Sequence, residues 1–311
     1  MIKIYKSLGG FIEIASIEKG CWINVTCPTP EEIELVKKDF GIPEDIIQDI
    51  LDIDERSRLE YDDNWLLIIL RIPIYSAGNN IPYYTVPLGV FITEDFTLTL
   101  CSTENEVLPT EQPSLYKDLR PQIINDVFNF VLKLFLRSSN LYLKYLKQIN
   151  QQTAIIESEL EKSIRNKELT RLLKMEKCLV YFITSLKSNE IVLVKLRNSS
   201  KRGISEINED LLEDVITENK QAIEMAQIYS DIQSGMMDAF ASVISNNLND
   251  VMKQLTSISI ILMIPTLISS MYGMNVPNFL EEKNWAFPLI VLISVLIAAF
   301  GVILFRKREW F

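Results

Sequence analysis

Residues 255–275 read LTSISIILMIPTLISSMYGMN, and residues 286–308 read AFPLIVLISVLIAAFGVILFRKR. Neither Leu255 to Tyr272 nor Ala286 to Phe305 contains a charged residue, and each approaches the roughly 20 apolar residues that an α-helix needs to cross a bilayer core. The pair predicts a helical hairpin in a membrane. Between the runs, Val276 to Trp285 carries Pro277, Glu281, Glu282 and Lys283, whereas Arg306, Lys307 and Arg308 follow the second run at once. Basic residues collect on the cytoplasmic side, so both termini are expected inside the cell, in a multi-pass protein of the plasma (inner) membrane.

The rest of the chain has a different character. Hydrophobic residues make up 48% of it, but 23% of residues are charged and the net charge is -10, which requires a large aqueous portion before the hairpin. The start, Met1-Ile2-Lys3-Ile4-Tyr5, lacks the apolar run and small-residue cleavage site of a signal peptide, so that portion is expected in the cytoplasm. Cys21, Cys27, Cys101 and Cys178 have no C-x-x-C spacing and read as reduced, mostly buried thiols rather than a metal site or disulfide framework. Histidine is absent. This removes the commonest transition-metal ligand and general base, so any metal here is expected on oxygen. With no Gly-rich phosphate loop, no nucleophile–base pair and no cofactor motif, neither an enzyme nor a nucleic-acid partner is expected.

Three segments are predicted, as an α+β membrane protein. Residues 1–119 read as an α/β cytoplasmic domain, with strands at Ile2 to Tyr5, Phe11 to Ile17, Trp22 to Cys27, Trp65 to Ile74, Thr85 to Ile92 and Phe96 to Cys101. One helix starts at Thr29-Pro30-Glu31-Glu32, with Thr29 as N-cap, and another near Pro43-Glu44-Asp45. Gly78-Asn79-Asn80 and Pro82 mark a loop. Residues 120–254 switch to a helical period, with Ile124, Val127, Phe128, Val131, Leu134 and Phe135 on one face. Long helices are predicted over 121–163, 166–199 and 206–272, broken near Arg165-Asn166 and over Ser199 to Gly203. The third runs on into the first apolar stretch and would be on the order of 100 Å long. Residues 255–311 form the transmembrane hairpin and a basic tail.

Two features of the third helix carry chemistry. Its aqueous part holds Glu206, Glu209, Asp210, Glu213, Asp214, Glu218, Glu224, Asp231, Asp238 and Asp250 against Lys220 and Lys253. Such a face either keeps the helix solvated or attracts cations. Further on, Asn249, Met252, Leu255, Ser259, Met263, Thr266 and Ser270 fall within an arc of roughly 120° at about 100° per residue. Small and hydroxylated residues on one face of a span either pack helices closely or line water.

The tetrapeptide Tyr272-Gly273-Met274-Asn275 bears on that choice. A Gly-Met-Asn triplet closing the first of two C-terminal spans, after a long acidic helix and before an acidic loop and a basic end, resembles the CorA family of magnesium transporters. The order of an α/β part before long helices is similar too, as is Asp54-Glu55-Arg56-Ser57-Arg58-Leu59-Glu60 ahead of the strand Trp65 to Arg71. The resemblance implies a homopentamer in the lipid bilayer, with five first-span helices lining a pore. Gly273, Met274 and Asn275 would form its outer mouth as the selectivity filter: the Asn275 amide oxygens bind hydrated Mg2+, and Gly273 permits a tight turn. Glu281 and Glu282 would concentrate cations there. Deeper in, Ser259 and Thr266 would carry the hydrated ion, Met252, Leu255 and Met263 would form apolar constrictions that close by dewetting, and Asn249 would form the cytoplasmic exit. Regulatory Mg2+ between cytoplasmic domains would hold the pore shut, with Asp214 as the stalk-helix ligand among the neighbouring Asp210 and Glu213.

The chain departs from that pattern in two places. Ser76-Ala77-Gly78 stands where an acidic partner of Asp214 is expected, and Val276 to Glu282 lacks the usual Met-Pro-Glu-Leu string. Relatives of this kind move Zn2+, Co2+ or Ni2+, so these ions stay open alongside Mg2+. A membrane-anchored coiled-coil scaffold or sensor is the rival from another class; it needs neither the polar stripe nor a span ending in Asn.

Overall fold

The run Leu66–Tyr75, LLIILRIPIY, forms β5, a ten-residue strand inside a seven-stranded sheet. The computed structural model describes residues 1–7, 11–62, 64–109, 127–162, 166–201, 207–274 and 285–308. The other strands are β1 (Ile2–Ser7), β2 (Phe11–Glu13), β3 (Cys21–Thr26), β4 (Arg58–Tyr61), β6 (Tyr83–Ile92) and β7 (Phe96–Cys101), in the spatial order β2-β1-β3-β7-β6-β5-β4. Among these described strands only β3 and β7 pair in parallel. β5 is buried over nearly its whole length, as a near-continuous apolar strand should be when helices cover both faces of its sheet.

On one face lie α1 (Pro30–Asp39) and α2 (Glu44–Leu51). Thr29 caps α1 as expected, its hydroxyl accepting from the Glu32 N–H while Glu32 reaches back to the Thr29 N–H. Val36, Ile46, Ile47 and Ile50 pack from these helices onto Ile23, Val25, Leu67, Ile69, Phe91 and Leu98. The approach at Ile50 requires Gly89 of β6, where a Cβ would stand 2.3 Å from Ile50 Cδ1.

The opposite face is covered by α3 (Val127–Lys162) and α4 (Asn166–Lys201). Trp22 meets Phe130 there with ring centroids 5.5 Å apart, and Tyr142 and Tyr83 set their rings edge-on to Phe182. Then α5 (Glu209–Tyr272) runs 64 residues without interruption through Pro265, and α6 (Ala286–Lys307) follows. Both are long and apolar enough to cross a membrane. The chain divides into two compact units, Met1–Ser234 and Gly235–Phe311.

Several boundaries differ from expectation. β2 stops at Glu13 instead of reaching Ile17, and residues 207 and 208 precede α5 without being helical. β4 was not anticipated at all: its four residues, Arg-Leu-Glu-Tyr, are a short edge strand stabilised by pairing with Leu66 to Ile69. Ile124, Arg165, Gly203 and Glu206 lie outside the described residues.

Candidate functional site

The polar stripe on α5 keeps its predicted coherence. Asn249, Met252, Leu255, Ser259, Met263, Thr266 and Ser270 are all exposed, Met263 at 65% and Leu255 at 58%. The less exposed residues of the same stretch are Ser257, Ile261, Ile264, Pro265, Ile268 and Tyr272. At α-helical spacing these two sets lie roughly 180° apart. The second set faces α6: a Cβ on Gly301 would sit 3.5 Å from Ile261 Cγ1. The stripe therefore points away from the only neighbouring helix within this unit's described residues.

Local hydrogen bonding prepares the stripe chemically. Ser259 Oγ donates to the Leu255 carbonyl at 2.8 Å, and Thr266 Oγ1 donates to the Leu262 carbonyl at 2.7 Å. Such bonds keep a hydroxyl inside an apolar helix without an unsatisfied proton, while each exposed oxygen keeps its capacity as an acceptor. Nearer the aqueous end, Asn249 borders a recess shared with Asn246, Asp250, Met252, Lys253 and Thr256. There Asp250 is neutralised by Lys253 at 3.1 Å.

At the far end of the stripe, Gly273 forms a turn, its N–H donating to the Ser269 carbonyl at 3.0 Å. Here the expectation needs correction. Gly273 is not among the glycines with positive φ, which among the described residues are Gly20 and Gly41, and an added Cβ would lie 3.4 Å from Ser269 O. Among the described residues, which here end at Met274, nothing demands glycine at this position. Met274 is exposed at 58%. Asn275, Glu281 and Glu282 lie outside the described residues.

Asp210, Glu213 and Asp214 occupy the start of α5 and are all exposed. Among the described residues, no group of three or more Asp, Glu or Cys side chains is placed to hold a metal ion. Ser76 opens the β5–β6 turn, where its N–H donates to the Pro82 carbonyl at 2.9 Å. The free thiols behave as expected, with Cys21, Cys101 and Cys178 buried and Cys27 exposed.

The sequence reading missed the centre that fixes α4 on the sheet. β4 covers β5 only as far as Ile69, so the Arg71 N–H and carbonyl have no strand beside them. Asn189 of α4 takes the strand's place: its Oδ1 accepts from Arg71 N and its Nδ2 donates to Arg71 O, both at 2.8 Å. The Arg71 side chain donates to the Ile53, Glu55 and Thr85 carbonyls and to Ser185 Oγ. Burial pushes its guanidinium below the ordinary arginine range, since these contacts are to neutral oxygens. One signal was available: an arginine inside an otherwise apolar strand must find several acceptors in the fold.

Comparison with known proteins places these features in a lineage. Over 297 residues the chain is 27% identical to the cobalt/magnesium transport protein CorA of Methanocaldococcus jannaschii, covering 93% of this chain and 90% of that protein. It is 25% identical to the cobalt/magnesium transport protein CorA of Thermotoga maritima, covering 93% and 83%. The complete structure of the CorA magnesium transporter from Methanocaldococcus jannaschii superposes with a TM-score of 0.81 at 25% identity, over 100% of this chain and 99% of that one. The family profile described as CorA-like Mg2+ transporter protein matches residues 18–307, and the chain with its α/β unit, long helix and two apolar C-terminal helices belongs to that family.

Proposed function

We propose that the protein is a magnesium uptake channel, a homopentamer in the cell membrane in which five copies of α5 surround the ion path. The observation that carries this reading is the stripe from Asn249 to Ser270, exposed and turned away from α6. A single chain leaves hydroxyls, an amide and flexible apolar side chains uncovered on that face, and a ring of copies gives them a common axis. The relatives named cobalt/magnesium transport proteins support Mg2+ and Co2+ as the ions. Residues 1–119 and 120–254 serve as cytoplasmic domain and stalk, residues 255–311 as the membrane hairpin, and both termini face the cytoplasm.

In this reading Asn275 meets the hydrated ion at the outer mouth beside Gly273 and Met274, with Glu281 and Glu282 raising the local cation concentration. Ser259 and Thr266 accept hydrogen bonds from the ion's water shell, which suits a cation that dehydrates reluctantly. Met252, Leu255 and Met263 close the path by dewetting. Cytoplasmic Mg2+ holds the closed state through carboxylates around Asp214. Because one chain brings no three such ligands together among its described residues, the site draws carboxylates from neighbouring copies.

Flux into liposomes containing the purified protein tests the reading, with Mg2+, Co2+, Ni2+ and Zn2+ measured in parallel. Mg2+ entry that follows its gradient is expected. No entry of any of the four ions into liposomes shown to contain assembled protein would leave the hairpin as an anchor.

A further inference from the structure

Along α5 the buried positions Leu212, Val215, Asn219, Ala222 and Ala226 alternate three- and four-residue steps as in a heptad seam, and buried Gln233 lies one full heptad beyond Ala226. Four are apolar, and two are amides exposed by only 1% each. Asn219 Nδ2 donates to the Leu186 carbonyl of α4 at 3.2 Å, and Gln233 Nε2 donates to the Leu172 carbonyl at 2.6 Å. Asn219 and Gln233 stand two heptads apart on α5. Leu186 and Leu172 stand two heptads apart on α4 in the opposite direction, so both bonds belong to one antiparallel register. The amides do not optimise stability, because Asn219 Oδ1 is buried without a hydrogen-bond partner. Between them Ala222 and Ala226 offer little bulk to interlock with α4. Apolar contact alone would therefore specify the axial position of α5 weakly, whereas a slide along α4 breaks both amide bonds at once.

We propose that Asn219 and Gln233 are register-setting residues that fix one axial position of α5 along α4. This part of α5 then does not travel as a piston; it moves only together with α4. The claim does not depend on which ion the protein conducts.

The test uses spin labels on Cys residues introduced at Lys195 of α4 and Gln221 of α5, both exposed. The background is full-length Cys27→Ser protein diluted with unlabelled copies, the other three thiols being buried. One narrow distance is expected with both amides present. The Asn219→Leu/Gln233→Met variant should keep its thermal stability but show a broadened or second distance, displaced by about 5 Å, one helical turn. A merely structural role would lower the melting temperature and leave the distance narrow. A single narrow distance in the double variant overturns the proposal. Should that variant fail to assemble, Gln233→Met alone is compared with the parent, and an unchanged distribution width there overturns it as well.

Discussion

The two compact units treat polar and apolar groups in opposite ways. In Met1–Ser234 most apolar side chains of the sheet and its covering helices form a buried core, and several polar groups drawn into that interior find partners far away in sequence. Arg71 is held by the Ile53 to Thr85 segment and by α4, and Trp22 donates to Thr99 at 3.0 Å. In Gly235–Phe311 the large apolar residues are mostly exposed, among them Leu262, Leu267, Phe287, Leu296 and Phe300. The hydroxyls of Ser257, Ser259 and Thr266 there bond to their own helix. The first unit builds its core within its own chain. The second is completed by its surroundings, lipid on one side and, in the function we propose, other copies on the other.

The difference separates the readouts of mutation. Substitutions in the first unit should register as stability, and those in the second as ion flux per assembled particle. The largest effect is expected for Asn275→Ala, which should reduce Mg2+ uptake to the level of empty liposomes while the assembly keeps its size on gel filtration. Normal uptake in that variant would remove Asn275 from the selectivity filter. Next, Leu255→Asn should raise leak several-fold by wetting a constriction. If Leu255 faced lipid, less protein would assemble and no extra current would appear.

Arg71→Met probes the first unit, and the two variants that follow sharpen the contrast. It leaves the Ile53, Glu55 and Thr85 carbonyls without their donor and should cost about 3 kcal/mol of unfolding free energy. Uptake per folded assembly should be nearly unchanged, and an intact melting temperature would show that the Arg71 contacts add little. The smallest stability effect is expected for Gly273→Ala, below about 0.5 kcal/mol, because the turn accepts a Cβ. Its uptake should fall even so, since the added methyl then acts on the mouth between copies. Parent-like uptake would show that glycine has no role there.

Regulation supplies one further contrast, because the acidic start of α5 lies in the first unit but, in the function we propose, draws ligands from neighbouring copies. Millimolar Mg2+ should protect the parent protein from protease, and Asp214→Ala should weaken that protection only partly, since Asp210 and Glu213 share the load. Complete loss in Asp214→Ala would identify one dominant ligand.

Local signals carried much of the architecture. Thr29-Pro30-Glu31-Glu32 announces a capping box, and the charge-free runs announce α6 and the end of α5. The absence of Gly and Pro from most of residues 166–264 announces long helices. What stayed hidden depends on distant partners. Asn189 looks like any polar residue on a long helix until β4 is found to end beside Ile69, leaving the Arg71 backbone uncovered. β4 itself is too short to show a pattern. The parallel pairing of β3 with β7, which sets the strand order, joins segments separated by two helices and three strands. In the candidate site, helical periodicity sufficed to group the stripe. Gly273 itself shows no positive φ, because φ is a property of the folded turn and not of the residue type.

The inward bonds of Ser259 and Thr266 have a consequence for charge. A hydroxyl free to rotate serves either sign of ion, turning its proton toward chloride or its lone pairs toward a water on a metal. Here both protons are committed to helix carbonyls at 2.8 and 2.7 Å. At these two levels of the proposed path an anion meets oxygen lone pairs and no donor. If α5 lines the path as we propose, two neutral side chains would disfavour chloride without a formal charge, and without the tight ion binding that a carboxylate ring would bring.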